Sequence, residues 1–176
     1  SSPEGRGEGD YLISLAVISE RKTSLLLAEA AQKAGVPVVF LGKPLVEDDY
    51  FKRFLSIADG KTVRYAGFVS QKEKYQYLRR ARGFALMSQF ESGCIAIYEA
   101  AAAGLPLLLP DLPWASKVYG HLKQVETTPL GSVDSIAQAL TRFYATARRG
   151  SQQTFPIPSW KEVARQYIKV YESILQ

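Results

Sequence analysis

The segment GFALMSQFESGCIAIYEAAAAGLPLLL (residues 83–109) contains the pattern that decides the fold. Residues 83–88 and 105–109 are short apolar runs typical of buried strands, and Gly104 ends the helix-length run 93–103 between them. A strand that is apolar throughout has both faces covered, as in a parallel sheet packed between two layers of helices. The segment therefore predicts one strand–helix–strand unit of such a sheet.

The same alternation extends over most of the chain. It predicts strands at residues 11–18, 36–41, 63–68, 83–88, 105–109 and 122–126. It predicts helices at residues 23–34, 47–58, 72–81, 93–103, 114–119 and 133–148, and a last helix from Trp160 whose apolar stripe most simply packs in a core. Thr23 or Ser24 is available as the N-cap of the first helix, and Gly35 ends it. We therefore expect residues 11–176 to form a single α/β domain, Rossmann-like and three-layered (α/β/α), with a parallel sheet of about six strands. Residues 1–10 are expected to be a disordered lead-in or a cloning junction.

The composition excludes several classes of function. Among 176 residues there is one cysteine, which rules out an internal disulfide framework, and one histidine, so a metal site made by the protein alone is not expected. The formal charge of +5 comes from scattered basic residues, which favours a solvated surface over nucleic-acid binding. The cluster Arg79, Arg80 and Arg82 fits an amphipathic helix surface. The sequence has neither an apolar run of membrane-spanning length nor the features of a signal peptide, so we expect a cytoplasmic location.

Candidate site residues follow the strands, because ligands of doubly wound sheets bind beyond the carboxyl ends of the strands. Glu99 is the single charge in an otherwise apolar helix, and Glu91 precedes that helix by two residues. If the helix begins near Glu91, the two carboxylates lie about 12 Å apart on one broad side of it. The amides of residues 92–94 then offer an anion site at the helix N-terminus. Carboxylates on either side of an anion site suit a sugar–diphosphate–ribose ligand, although Glu99 alone is equally explained by an ion pair or by solvation.

Residues 87–106 resemble the E-x7-E region of retaining family-4-like (group 1) glycosyltransferases, which have the GT-B fold. The resemblance continues at residues 20–22, 39–42, 63–69 and 160–167, and so covers nearly the whole chain from Tyr11. A complete GT-B enzyme has two Rossmann-like domains, and this chain has room for the second, donor-binding one. In that family the last helix commonly packs toward the other domain.

The resemblance implies a role for each candidate residue. Glu99 would hold the ribose hydroxyls, Glu91 would face the donor sugar, and Lys22 would neutralise the departing diphosphate. The other donor-binding candidates are the backbone amides of Ser92, Gly93 and Cys94, the neighbouring Arg21 and Ser88, and Phe68 and Val69 beside the base. The implied substrate is a nucleotide-diphosphate sugar, with no cofactor and no metal, because basic groups and the helix N-terminus stabilise the charge. The implied partner is an N-terminal acceptor-binding domain. Any association with a membrane would occur only through that domain.

Three departures from the family pattern keep other functions open. Val17 stands where the family often has arginine, Cys94 stands at the second motif glycine, and Gly93 stands where an aromatic residue is common. Cys94 either has a lowered thiol pKa or is a small packed residue. The alternatives to hexosyl transfer are a sugar-nucleotide 2-epimerase, a phosphorylase, or a domain that binds a nucleotide sugar without catalysis. If the chain is a glycosyltransferase domain, we expect it to transfer little sugar in isolation, because closure of the cleft needs the other domain.

Overall fold

The computed structural model describes residues 11–152 and 159–175. Its centre is a sheet of six parallel strands in the order β3-β2-β1-β4-β5-β6. The strands are β1 (Leu12–Leu15), β2 (Val38–Leu41), β3 (Val63–Gly67), β4 (Gly83–Ala85), β5 (Leu107–Pro110) and β6 (Val125–Thr128). In β1, Leu12 is in register with Val38 on one side and with Gly83 on the other. The chain therefore reverses its direction of winding between β1 and β4, which is the topological switch point of the sheet.

Helices cover both faces of this sheet, and the strand sequences explain why. Alternate residues of β2 face opposite sides, so Val38 and Phe40 join one core and Val39 and Leu41 join the other. The first core packs against α1 (Ser24–Ala34), α2 (Asp49–Ile57) and α6 (Val133–Thr146); the second packs against α3 (Gln71–Arg80), α4 (Ile95–Ala102) and α5 (Pro113–Tyr119). The predicted three-layer Rossmann-like domain with a six-stranded parallel sheet is confirmed.

The last helix, α7 (Trp160–Ile174), buries none of its residues among those described. Its Ser159–Glu162 capping box fixes where it begins, but its apolar stripe is exposed. The interpretation of this stripe as core is therefore wrong for this chain. The predicted lead-in, residues 1–10, lies outside the described residues.

The first helix has its N-cap and its end at the predicted residues, but the N-cap lacks the usual side-chain bond. Thr23 is the N-cap of α1 and makes no side-chain capping bond, and Gly35 ends that helix in the left-handed conformation. At α2, the Asp48 carboxylate accepts from the Phe51 N–H at 3.0 Å. The element boundaries shift by up to three residues from the predicted ones. β1 and β4 end three residues early, at Leu15 and Ala85, and β6 begins three residues late, at Val125.

The start of α4 is the boundary that matters for the site. This helix begins at Ile95 with Cys94 as its N-cap, so the premise that it begins near Glu91 is wrong. The 12 Å separation inferred from that premise does not apply. Although Glu99 is its only charged residue, this helix is not buried on every face, because Ile95 is 74% exposed.

Gly42 provides a direct test of how tightly β1 and β2 approach where they end. Its φ is +145°, and a Cβ on it would collide with the Ala16 carbonyl. We expect Gly42→Ala to lower the free energy of unfolding by at least about 2 kcal/mol in urea denaturation. The control Gly93→Ala, where a Cβ meets open space, is expected to change it by less than about 1 kcal/mol. Equal effects of the two changes would refute this description of the strand ends.

Candidate active site

The candidate site lies at the switch point, where the loops after β1 and β4 leave the sheet in different directions. The loop after β1 carries Arg21 and Lys22, and the loop after β4 carries Glu91. These residues are about 70 positions apart in sequence, yet the fold brings their charged groups into contact. The parallel sheet thus assembles a charged cluster from segments that sequence spacing does not connect.

The centre of this cluster is an ion pair between the Lys22 ammonium and the Glu91 Oε1. Both side chains are largely desolvated, at 11% and 6% exposure. The Arg21 Nη1 lies 3.7 Å from the Glu91 Oε2 and donates to the Phe90 carbonyl at 2.6 Å. Two cations surrounding one carboxylate leave a local excess of one positive charge, which favours an anionic ligand here.

Backbone and hydroxyl bonds hold the two loops together beside the ion pair. The Gln89 N–H donates to the Arg21 carbonyl at 2.9 Å, and the buried Ser88 hydroxyl lies 3.3 Å from the same oxygen. The Ser88 hydroxyl is also 3.0 Å from the Phe90 carbonyl, so the protein itself occupies this predicted ligand contact. The loops are therefore pre-organised through their own bonds.

Thr23 is a component of this arrangement that the sequence analysis treated only as a helix cap. Its φ of 45° lies in the left-handed region, which is costly for a β-branched residue. Its hydroxyl donates to the Met87 carbonyl and so ties the start of α1 to the segment after β4. A strained backbone next to Lys22 is sustained by this bond. The sequence carries no indication of a left-handed threonine.

The N-terminus of α4 differs from the expected open anion site. The Cys94 N–H donates to the Tyr119 hydroxyl at 2.6 Å, so this amide already has a partner. Ser92 and Gly93 are exposed and remain candidates for a ligand contact. Tyr119 lies on α5, 25 residues away, and the sequence analysis missed it because no local pattern connects the two positions.

Cys94 is a buried, packed residue. Burial is the largest cause that raises the pKa of this thiol above its ordinary value, and the Glu91 carboxylate raises it further. The alternative of a lowered thiol pKa is therefore wrong, because desolvation outweighs the helix N-terminus.

Glu99 has a specific partner on the neighbouring helix. Its Oε1 lies 2.5 Å from the Lys74 Nζ on α3, with side-chain exposures of 22% and 19%. This contact matches the ion-pair explanation for a charge in an apolar helix, and ribose binding by Glu99 stays a prediction. Phe68 and Val69, the predicted base neighbours, lie in the short segment between the end of β3 at Gly67 and the start of α3 at Gln71. Phe68 is 82% exposed, which leaves it accessible to a ligand.

A cavity of about 250 Å³ lies between the loop after β1 and the segment after β2 that leads into α2. Its lining residues are Val17, Ile18, Ser19, Glu20, Arg21, Leu45, Val46, Asp48 and Tyr50. Val17 thus contributes an apolar wall where the family pattern often has a cation. The sequence analysis did not foresee this cavity.

Structural roles explain part of the basic cluster. The Arg82 guanidinium lies 4.7 Å from the centre of the Tyr144 ring and donates to the Ala147 carbonyl at 3.2 Å. No group of three or more histidine, cysteine, aspartate or glutamate residues is placed to hold a metal ion within residues 11–152 and 159–175. Across the same described ranges, none of the helices combines the length and apolar character needed to span a bilayer.

The fold and the charged cluster define a class of protein: a Rossmann-like domain of the kind that makes up one half of a GT-B enzyme. The chain belongs to the group 1 glycosyl transferases, whose family model matches residues 3–152. This match includes the whole sheet and α1 to α6, and α7 lies beyond it. No curated protein sequence matches the chain significantly.

Solved glycosyltransferase structures share this fold at low sequence identity. AviGT4, a glycosyltransferase involved in avilamycin A biosynthesis, has a TM-score of 0.64 and 21% identity over 96% of this chain and 52% of its own. HepE of Anabaena, in complex with UDP and glucose, has a TM-score of 0.66 and 19% identity over 79% of this chain and 40% of its own. Pneumococcal O-GlcNAc transferase GtfA, in complex with UDP and GlcNAc, has a TM-score of 0.59 and 13% identity over 100% of this chain and 38% of its own. The chain thus spans about half or less of each of these structures.

Because Cys94 is the only cysteine, its reactivity reports on the start of α4. Burial and the raised pKa of the thiol lower both access and the thiolate fraction. We expect iodoacetamide at pH 8 to modify the native protein at least about tenfold more slowly than the protein unfolded in urea. Equal rates, measured by mass spectrometry, would show that Cys94 is not packed at the site.

Proposed function

We propose that this chain is the donor-binding domain of a glycosyltransferase that moves a sugar from a nucleotide-diphosphate sugar to an acceptor. The observation that carries the proposal is the cluster of Arg21, Lys22 and Glu91 at the switch point, beside the start of α4. Membership of the group 1 glycosyl transferases supports it. HepE and GtfA, which share the fold, were solved with UDP bound, and this supports a nucleotide diphosphate as the ligand class.

In the proposed site the diphosphate lies over the Lys22 side of the cluster. Transfer of the sugar leaves a nucleoside diphosphate, so negative charge grows on the leaving oxygen as the bond to the sugar breaks. Cations held in a partly desolvated position stabilise that charge more strongly than the same cations in water. Lys22 is the catalytic cation in this proposal, with Arg21 and the amides of Ser92 and Gly93 next to it as donor-binding groups.

Glu91 has two roles in the proposed mechanism. It holds the Lys22 ammonium in place, and its carboxylate faces the donor sugar and accepts hydrogen bonds from sugar hydroxyls. A carboxylate offers about four lone-pair positions, so contact with two cations leaves room for a hydroxyl donor. Glu91 is thereby both a positioning and a substrate-binding group.

The remaining parts of the proposal concern the whole protein. We propose a retaining, hexosyltransferase-like reaction that needs no metal and no cofactor, because the cations of the site supply the charge stabilisation. We further propose that an acceptor-binding domain completes the cleft and that this domain alone transfers little. A buried free thiol at Cys94 suits a reducing compartment and supports a cytoplasmic location.

Two observations favour a second candidate, a domain that binds a nucleotide sugar without catalysis. Val17 supplies no cation at the cavity wall, and the Cys94 amide is already bonded to Tyr119. Acceptor-dependent release of UDP, GDP or ADP by the full-length protein would support transfer. Nucleotide-sugar binding without any turnover would favour the second candidate.

Glu99 gives the first test of nucleotide binding. Calorimetric titration of the domain with UDP, GDP and ADP is expected to identify one that binds. Glu99→Ala should weaken that binding by at least about tenfold, because it removes a charged acceptor for ribose hydroxyls. The control Glu126→Ala removes an exposed carboxylate from the edge strand β6 and should leave the affinity unchanged. Failure of the folded wild-type domain to bind any of the three would contradict the proposed function.

Lys22 tests the diphosphate end of the site. We expect Lys22→Gln to weaken binding of the nucleoside diphosphate by about tenfold or more, because a charge-assisted contact is lost. Binding of the corresponding nucleoside, which has no phosphate, should change by less than about twofold. An equal loss for both ligands would mean that Lys22 supports only the fold, and circular dichroism of the variant checks that the domain remains folded.

A further inference from the structure

The Lys74–Glu99 ion pair joins the two segments proposed to hold the nucleoside. Lys74 lies in the first turn of α3, the helix that follows the base candidates Phe68 and Val69, and Glu99 lies on α4. The Nζ–Oε1 distance is 2.5 Å, and both side chains are about four-fifths shielded from solvent. The pair therefore fixes the position of Glu99 relative to the end of β3.

The contact leaves the Glu99 carboxylate able to accept a ligand. In the part of the chain that the structure describes, Lys74 is the one side chain bonded to this carboxylate. One of about four lone-pair positions is thus used, and two vicinal hydroxyls need two more. Lysine and a ribose can therefore occupy the same carboxylate together.

The two motif glutamates have parallel arrangements. Glu91 is paired with Lys22 from the loop after β1, and Glu99 is paired with Lys74 from the helix after β3. In each pair the lysine lies in the segment that follows a different strand, β1 or β3. It holds the carboxylate in place before a ligand binds. An acceptor that is already oriented loses less side-chain freedom when the ligand binds, which improves affinity.

We propose that Lys74 is a positioning residue for ribose recognition, which keeps the Glu99 carboxylate oriented toward the 2′ and 3′ hydroxyls of the nucleotide. This inference rests on the proposed function, because it requires that Glu99 meets a ribose. It assigns to the β3–α3 segment a part in selecting ribonucleotides as well as in contacting the base.

The experiment compares a ribonucleotide with its 2′-deoxy counterpart in calorimetric titrations. The ligand is whichever of UDP, GDP and ADP binds the wild-type domain most tightly. Lys74→Met is expected to weaken binding of the ribonucleotide by about tenfold and binding of the deoxynucleotide by less than about threefold. Lys74→Arg, which keeps the charge, should retain the wild-type preference for ribose. Lys74→Gln is measured in parallel as a second uncharged variant and should behave as Lys74→Met does.

The matched control is Lys33→Met, which removes an exposed lysine–carboxylate pair with Asp134 between α1 and α6. It should leave both affinities unchanged. If Lys74→Met and Lys74→Gln weaken both ligands equally, Lys74 only joins α3 to α4 and the inference is overturned. Tighter ribonucleotide binding in these variants would overturn it too, because Lys74 would then compete with the ribose. A wild-type domain that binds no nucleotide contradicts the proposed function itself, which separates that failure from a failure of the inference.

Discussion

A desolvated contact between the Lys22 ammonium and the Glu91 carboxylate joins the loops that leave the centre of the sheet in opposite directions. Removing one partner of a buried pair leaves an uncompensated charge, so the two loops are constrained to stay together. The left-handed Thr23 and its bond to the Met87 carbonyl act in the same direction. The geometry of the site is thus set by the protein's own bonds at the switch point.

The rest of the edge is arranged around this contact. In the strand order, β2 and β3 lie on one side of β1. The helix that follows β3 supplies Lys74, which pairs with Glu99. Two lysine–glutamate pairs therefore mark the proposed diphosphate and ribose ends of one elongated site. The exposed side chain of Phe68 lies where the base is proposed to bind.

The fold was predictable from the sequence because β2 and β5 are apolar throughout and Gly35 and Gly104 mark helix ends. The site was predictable only as a set of residue types. The start of α4 was misplaced because Cys94, which is not a usual capping residue, occupies its N-cap position, while residues 91–94 form a loop. The partners Lys74 and Tyr119 were missed because their contacts with Glu99 and Cys94 depend on how separate helices pack. No local periodicity encodes such contacts.

A crystal structure of this domain with a bound nucleoside diphosphate tests the central claim most directly. The claim is that the switch-point edge between the loops after β1 and β4 is the donor site. The expected result places the diphosphate against Lys22 and the start of α4, with the ribose hydroxyls on Glu99 and the Lys22–Glu91 contact retained. A nucleotide bound at another edge of the sheet, with Lys22 and Glu99 both away from it, would contradict the claim.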